Sequence, residues 1–219
     1  MEKINIINEE IEIKFENFVL ENLAFDNTGH DLSHAKRVVN NAKVIMKKEK
    51  NYDYDLIIAS CYVHDVADHK LFVDLVAQYE KISSFLIEVG FSQQNITKVI
   101  DIIEHISYYN GKYYELTDIN SMIVRDADRL DAIGAMGIVR TITYGASKNR
   151  PFYEDDNFKY HEKGIDFIKS TETTISHFYD KLLKLPGLMH TKVAKTLAKK
   201  RIKIIKVFLK QFYRELSKN

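Results

Sequence analysis

Apolar residues recur along most of this chain at steps of three and four, the signature of helices that each bury one face. The first such stretch covers about 8–25, with Phe15, Phe18, Val19 and Leu23 on its apolar side, and Thr28-Gly29 breaks it. The next, about 30–49, sets Leu32, Ala35, Val38, Ala42 and Ile45 in the same rhythm. A third, about 54–67, is apolar nearly all round and predicts a central helix. Stretches over about 72–89 and 93–108 follow, separated by Gly90, with Ser92 placed to cap the second. After the turn signal Asn110-Gly111, helical patterning resumes over about 119–145, then over about 171–185 and 189–217, split by Pro186-Gly187. The expectation is one all-α domain over 1–219. Its core would span about 25–145, with a loop over about 145–157 and C-terminal helices within about 158–217. That loop, with Pro151 and Asp155-Asp156, is the least regular segment and is expected to form a lid or binding loop.

Polar residues that interrupt the apolar pattern carry the chemistry. His64-Asp65 follows directly on Ile57-Ile58-Ala59-Ser60-Cys61-Tyr62-Val63, the most hydrophobic stretch of the chain. Burying an imidazole beside a carboxylate is costly unless something pairs with both, and a metal ion would meet that need. His34 upstream and Asp128 downstream complete a His…His-Asp…Asp set of nitrogen and oxygen donors, suited to Mn, Ni, Fe, Co or Mg. Asp31 has two readings: a partner that orients His34, or a cap on the helix that begins after Gly29. Asp68, one turn beyond the pair, is placed to act as general acid or base on water, or simply to end a helix. In RDADRLDAIGAMG, Asp128 and Asp131 share a helical face and Asp126 points elsewhere. Gly134 and Gly137 suggest close backbone approach. Arg125, Arg129 and Arg140 bring positive charge near these carboxylates, for ion pairing or for phosphate.

Composition narrows the picture. A net charge of +1 gives no global case for nucleic acid or an acidic membrane, although basic residues crowd the end of the chain, from Lys195 to Arg214. That basic face is expected to be solvated. The single cysteine, Cys61, cannot form an internal disulfide, and the charged N-terminal stretch has no signal-like apolar core. The expected setting is a soluble protein of the cytoplasm, without membrane contact and with nucleic acid an unlikely partner.

The arrangement His34…His64-Asp65…Asp128 resembles the HD-domain metal-dependent phosphohydrolases. The pieces HDLSHAKRVVNNA, VHDVADHK, IIEHISY, DADRLDAIGAMGIVRTITYG and HFYDKLLKL are similar to its bacterial YpgQ/YedJ-type branch, over about 25–215. The resemblance implies an all-α HD bundle and a divalent metal on His34, His64, Asp65 and Asp128. It implies assistance from Asp68 and hydrolysis of nucleoside triphosphates with release of pyrophosphate. Where alarmone hydrolases carry a Glu-Asp pair this chain has Asp68-His69, a departure that counts against that substrate. His105 is a candidate for extending the site. Arg37, Arg129, Arg140, Lys148 and Arg150 are candidate phosphate contacts, with Asp131 beside them. Tyr108, Tyr109, Tyr113 and Tyr144 are candidates for stacking on a base. The alternatives are a nucleoside 5′-monophosphate phosphatase and a non-catalytic nucleotide- or partner-binding module.

Overall fold

The computed structural model describes residues 5–25, 29–69, 71–106, 114–154, 158–161, 164–167 and 173–216. Thr28, the Asn110-Gly111 turn, Tyr108, Tyr109, Tyr113 and Asp155-Asp156 lie outside them. The chain forms two compact units, Met1–Asp128 and Arg129–Asn219.

The first unit contains α1 (Glu9–Leu23), α2 (Leu32–Met46), α3 (Tyr54–Val63), α4 (Leu75–Glu88), α5 (Gln93–Ile106) and most of α6 (Ile119–Asp131). Asn8, Asp31, Asp53 and Asp74 cap α1 to α4, each side chain accepting from an amide of the first turn. Helix α3 is buried along nearly its whole length because α1, α2 and α5 all pack on it, as its uniform hydrophobicity predicts. Phe15 of α1 stacks on Tyr62 of α3 at 5.4 Å and meets Phe85 of α4 edge-on at 4.9 Å. Each large apolar side chain buried this way contributes about 1.5–3 kcal/mol. Asp55 ties the segment before α1 to this core, accepting from the amides of Ile6 and Ile7 at 3.0 Å each.

One departure from the expected helix over about 54–67 bears on the site. Helix α3 stops at Val63, and His64–Ala67 form a 3₁₀ turn. Val63 sits at ψ −1°, off the α-helical value, so the ladder tightens just where the polar pair begins.

The second unit contains α7 (Gly134–Ser147), α8 (Thr174–Asp180), a 3₁₀ segment Leu182–Leu188 and α9 (Lys192–Leu216). It departs from the helical expectation at 158–167, where β1 (Phe158–His161) pairs antiparallel with β2 (Gly164–Phe167). The single stretch expected over about 119–145 is two helices, broken at Ala132-Ile133. Gly134 opens α7 at φ +83°, a left-handed conformation that favours glycine. A β-carbon at Gly137 would lie 2.3 Å from the Ala132 carbonyl oxygen, so the close approach read from these glycines is real. The segment expected to be a loop from residue 145 is helical to Ser147. Beyond that, Arg150 donates its amide to Gly145, while Pro151 and Phe152 accept from the amides of Thr174 and Ile175. On α9, Lys195, Lys199, Lys200, Lys203, Lys206 and Lys210 are exposed, as expected. Arg201 instead turns inward and donates to the Leu130 carbonyl.

His177 of α8 gives this unit a pH dependence. Burial pulls its imidazole down to about 4, with the charges of Lys181 and Arg150 acting the same way against Asp180. An unfolded histidine titrates near ~6.5, so below that pH the unfolded chain binds a proton that the folded one refuses. Stability attributable to His177 should therefore be intact above about pH 6.5 and fall by about 3 kcal/mol as pH drops to ~4. Urea unfolding of the wild type and His177→Gln across this range tests it. The variant should lose that part of the acid slope, and equal slopes would rule the contribution out.

Candidate metal centre

Three elements of the first unit bring the site together. Asp31 starts α2 by accepting from the His34 amide at 2.8 Å and from the Ser33 hydroxyl at 2.8 Å. The capping role, one of the two read from sequence, is therefore the one Asp31 performs. Burial pushes its carboxyl up, but the His34 amide, the Ser33 hydroxyl and the Arg37 charge together hold it below its ordinary value. Arg37 itself donates to the Ser33 hydroxyl at 3.0 Å. One turn of α2 then points His34 inward, 1% exposed.

The 3₁₀ turn supplies the next two donors. The Nδ1 of His64 lies 3.0 Å from the Cys61 carbonyl oxygen, which can only accept. The ring proton therefore sits on Nδ1, and the Nε2 lone pair faces the cluster. That Nε2 is 3.2 Å from the Nε2 of His34 and 3.3 Å from Asp65 Oδ1. Asp65 Oδ2 is 3.3 Å from the His34 Nε2 and, though buried, has no hydrogen-bond partner among the described residues. Burial alone would raise the Asp65 carboxyl, but the His64 and His34 imidazoles, when they carry positive charge, hold it well below the usual carboxylate range. Asp128 of α6 adds Oδ1 at 3.5 Å from His34 Nε2 and 3.9 Å from His64 Nε2.

Two imidazole nitrogens facing each other beside an unsatisfied carboxylate oxygen form a poor arrangement without a cation. With one they fit. Donors ~2.1 Å from a divalent ion stand about 3.0 Å apart at octahedral angles and about 3.4 Å at tetrahedral ones. His34, His64 and Asp65 offer ligand atoms that all lie within 4.8 Å of one another. Among the described residues this is the group with metal-holding geometry.

Asp68 is buried just past the 3₁₀ turn, with its Oδ1 3.5 Å from Nδ1 of His69. Burial raises the Tyr79 phenol of α4, with the charges of Glu104 and Asp68 adding to the shift. His105 lies on α5 with Nδ1 2.7 Å from the Asp101 carbonyl oxygen and its ring edge-on to Tyr114. Arg125, weighed for phosphate, is almost wholly buried and donates to the carbonyls of Tyr114, at 2.7 Å, and His105. Asp126 is fully buried. In the second unit, Arg129 donates to the Leu188 carbonyl, and Arg140 donates to Asp131 at 2.9 Å. These three side chains, expected to meet substrate, hold their own unit together because a buried charge needs a fixed partner. Lys148 and Arg150 both lie over the Tyr144 ring, at 5.6 and 5.5 Å.

Sequence reasoning missed one contributor, the Cys61 carbonyl, because a backbone acceptor leaves no mark in side-chain identity.

No family model matches the chain. Among curated proteins it is similar to the uncharacterized protein YpgQ of Bacillus subtilis, at 34% identity over 90% of this chain and 87% of that one. Its structure is similar to that of an HD-superfamily hydrolase from Bacillus thuringiensis, with 34% identity, a TM-score of 0.71 and coverage of 95% and 97% of the two chains. It is also similar to B. subtilis YpgQ in complex with ADP, with 28% identity, a TM-score of 0.74 and coverage of 93% and 96%. Among the described residues, no helix is long and apolar enough to cross a membrane.

Proposed function

Since the chain belongs to the HD superfamily of hydrolases, in its YpgQ-like branch, we propose that it hydrolyses nucleotides, cleaving a nucleoside triphosphate to the monophosphate and pyrophosphate. His34, His64, Asp65 and Asp128 would hold the divalent ion. The observation that carries this reading is the convergence of two imidazole Nε2 atoms and the Asp65 carboxylate on one buried point, with the partly exposed Asp128 carboxylate 3.5 Å from the His34 Nε2. The ADP held by B. subtilis YpgQ supports a nucleotide as the substrate class.

A divalent ion held by these residues would supply Lewis acidity toward a phosphoryl oxygen and a water molecule. His34 and His64 would offer their Nε2 atoms, and the Cys61 carbonyl accepts from the His64 Nδ1 on the far side of the ring. Asp68 handles the proton: it accepts one from the attacking water or returns one to the leaving pyrophosphate. Arg37, at the start of α2, is a candidate for neutralising substrate phosphates. In the second unit Lys148 and Arg150 are candidates for the same task, with the Tyr144 ring a surface for a base.

Metal-loaded protein incubated with a panel of nucleotides, with products resolved by ion exchange, tests the reading. Pyrophosphate and monophosphate in equal amounts support it. Orthophosphate from a nucleoside 5′-monophosphate would replace it with a phosphatase, and an inert panel would overturn it. Lys148→Ala and Arg150→Ala should each raise KM for a triphosphate about tenfold, the scale of one charge-assisted contact, while leaving kcat and metal content in place. Normal KM in both would remove them from the site.

A further inference from the structure

Helix α2 does more for the metal centre than present His34. Asn41 lies seven residues on, buried on the same face, and its Nδ2 donates to the Ala127 carbonyl of α6 at 3.0 Å. Ala127 immediately precedes Asp128. A carbonyl inside a helix is already within reach of that helix's own amide one turn on, so this bond is not needed to satisfy Ala127. What it does is hold a defined distance and rotation between the helix that carries His34 and the helix that carries Asp128.

Asp128 is the member of the donor set with most need of such a clamp. Its side chain is 36% exposed, whereas those of His34 and Asp65 are 1% and 8% exposed. Packing fixes the imidazole of His34 and the carboxylate of Asp65, and the adjoining 3₁₀ turn fixes His64. The aim of Asp128 depends instead on where α6 stands. Its distances to the two Nε2 atoms, 3.5 and 3.9 Å, leave little room for a shift of that helix. We infer that Asn41 is a positioning residue of the metal centre, acting through the Ala127 carbonyl to set Asp128 on the ion. The inference rests on the ligand set proposed above.

The test is divalent-ion affinity, measured on the full chain by competition with a chelating dye using Mn²⁺ and Co²⁺. Asn41→Leu keeps the volume and removes the donor. Asn41→Asp keeps the shape and sets an oxygen against the carbonyl. Each should weaken ion binding about 10–100-fold, the usual cost of losing an outer partner of a ligand. Each should also change the visible band of the Co²⁺ form, which reports ligand geometry and not fold stability. In an Asp128→Ala background, where there is no carboxylate left to position, Asn41→Leu should cause no further loss of affinity. Should the leucine variant fail to fold, the aspartate variant gives the same readings. Wild-type affinity and an unchanged Co²⁺ spectrum in a folded variant would overturn the inference, as would an equal loss in the Asp128→Ala background. Wild-type protein that binds neither ion would instead remove the metal reading itself.

Discussion

Asp65→Ala is expected to strip the protein of its ion, taking metal content from about one per chain to none, and to cost the fold about 3–5 kcal/mol. Both effects have one origin. Asp65 is the charged group between two buried imidazoles, 3.3 Å from each Nε2. Without it the set loses a ligand, and two nitrogens 3.2 Å apart face each other with only the partly exposed Asp128 carboxylate to offset a cation or a proton. Elemental analysis of purified protein reads the first effect and urea unfolding the second. Asp65→Asn, which retains shape but not charge, separates them: metal should be lost with a smaller penalty to folding. Full metal content in a folded Asp65→Ala protein would eliminate Asp65 as a ligand.

Asp68→Asn should leave metal content unchanged and lower turnover by about two to four orders of magnitude, the range for loss of a positioned acid or base. Asp68 is buried at the end of the turn that carries His64 and Asp65, with its Oδ1 3.5 Å from Nδ1 of His69. An amide there preserves size and hydrogen bonding but cannot take up a proton. The measurement is kcat alongside metal content in the same preparation. Loss of metal with activity would make Asp68 a ligand, and unchanged kcat would make it a bystander.

The helices and the donor set were legible in the sequence for the same reason. Periodicity of apolar residues is a local consequence of helix geometry, so α1, α2, α4, α5 and α9 follow from spacing alone. A polar pair at the end of an apolar run is equally visible, because burying it needs a compensating partner, and that pointed to His64-Asp65. Patterns of this kind say less about where a helix tightens or breaks. The 3₁₀ turn at His64 and the break before Gly134 are decided by backbone angles that hydropathy does not encode. The hairpin at 158–167 depends on pairing between two strands, a non-local choice that helical spacing cannot anticipate.

The sequence by itself determined which residue types could bind a metal and how far apart they stand along the chain, and it carried the resemblance to the HD-domain hydrolases. Tertiary structure decided the use of each charge. Arg125, Arg129 and Arg140 read alike as candidates for phosphate, yet buried carbonyls claim the first two and Asp131 the third. Asp31 caps a helix, and Asn41, which no motif marked, reaches across to the helix of Asp128. The physical reason is that a polar side chain is satisfied by whatever donor or acceptor the packed chain brings within about 3 Å. Most of those partners are backbone atoms, identical in every residue and so invisible in the order of side chains.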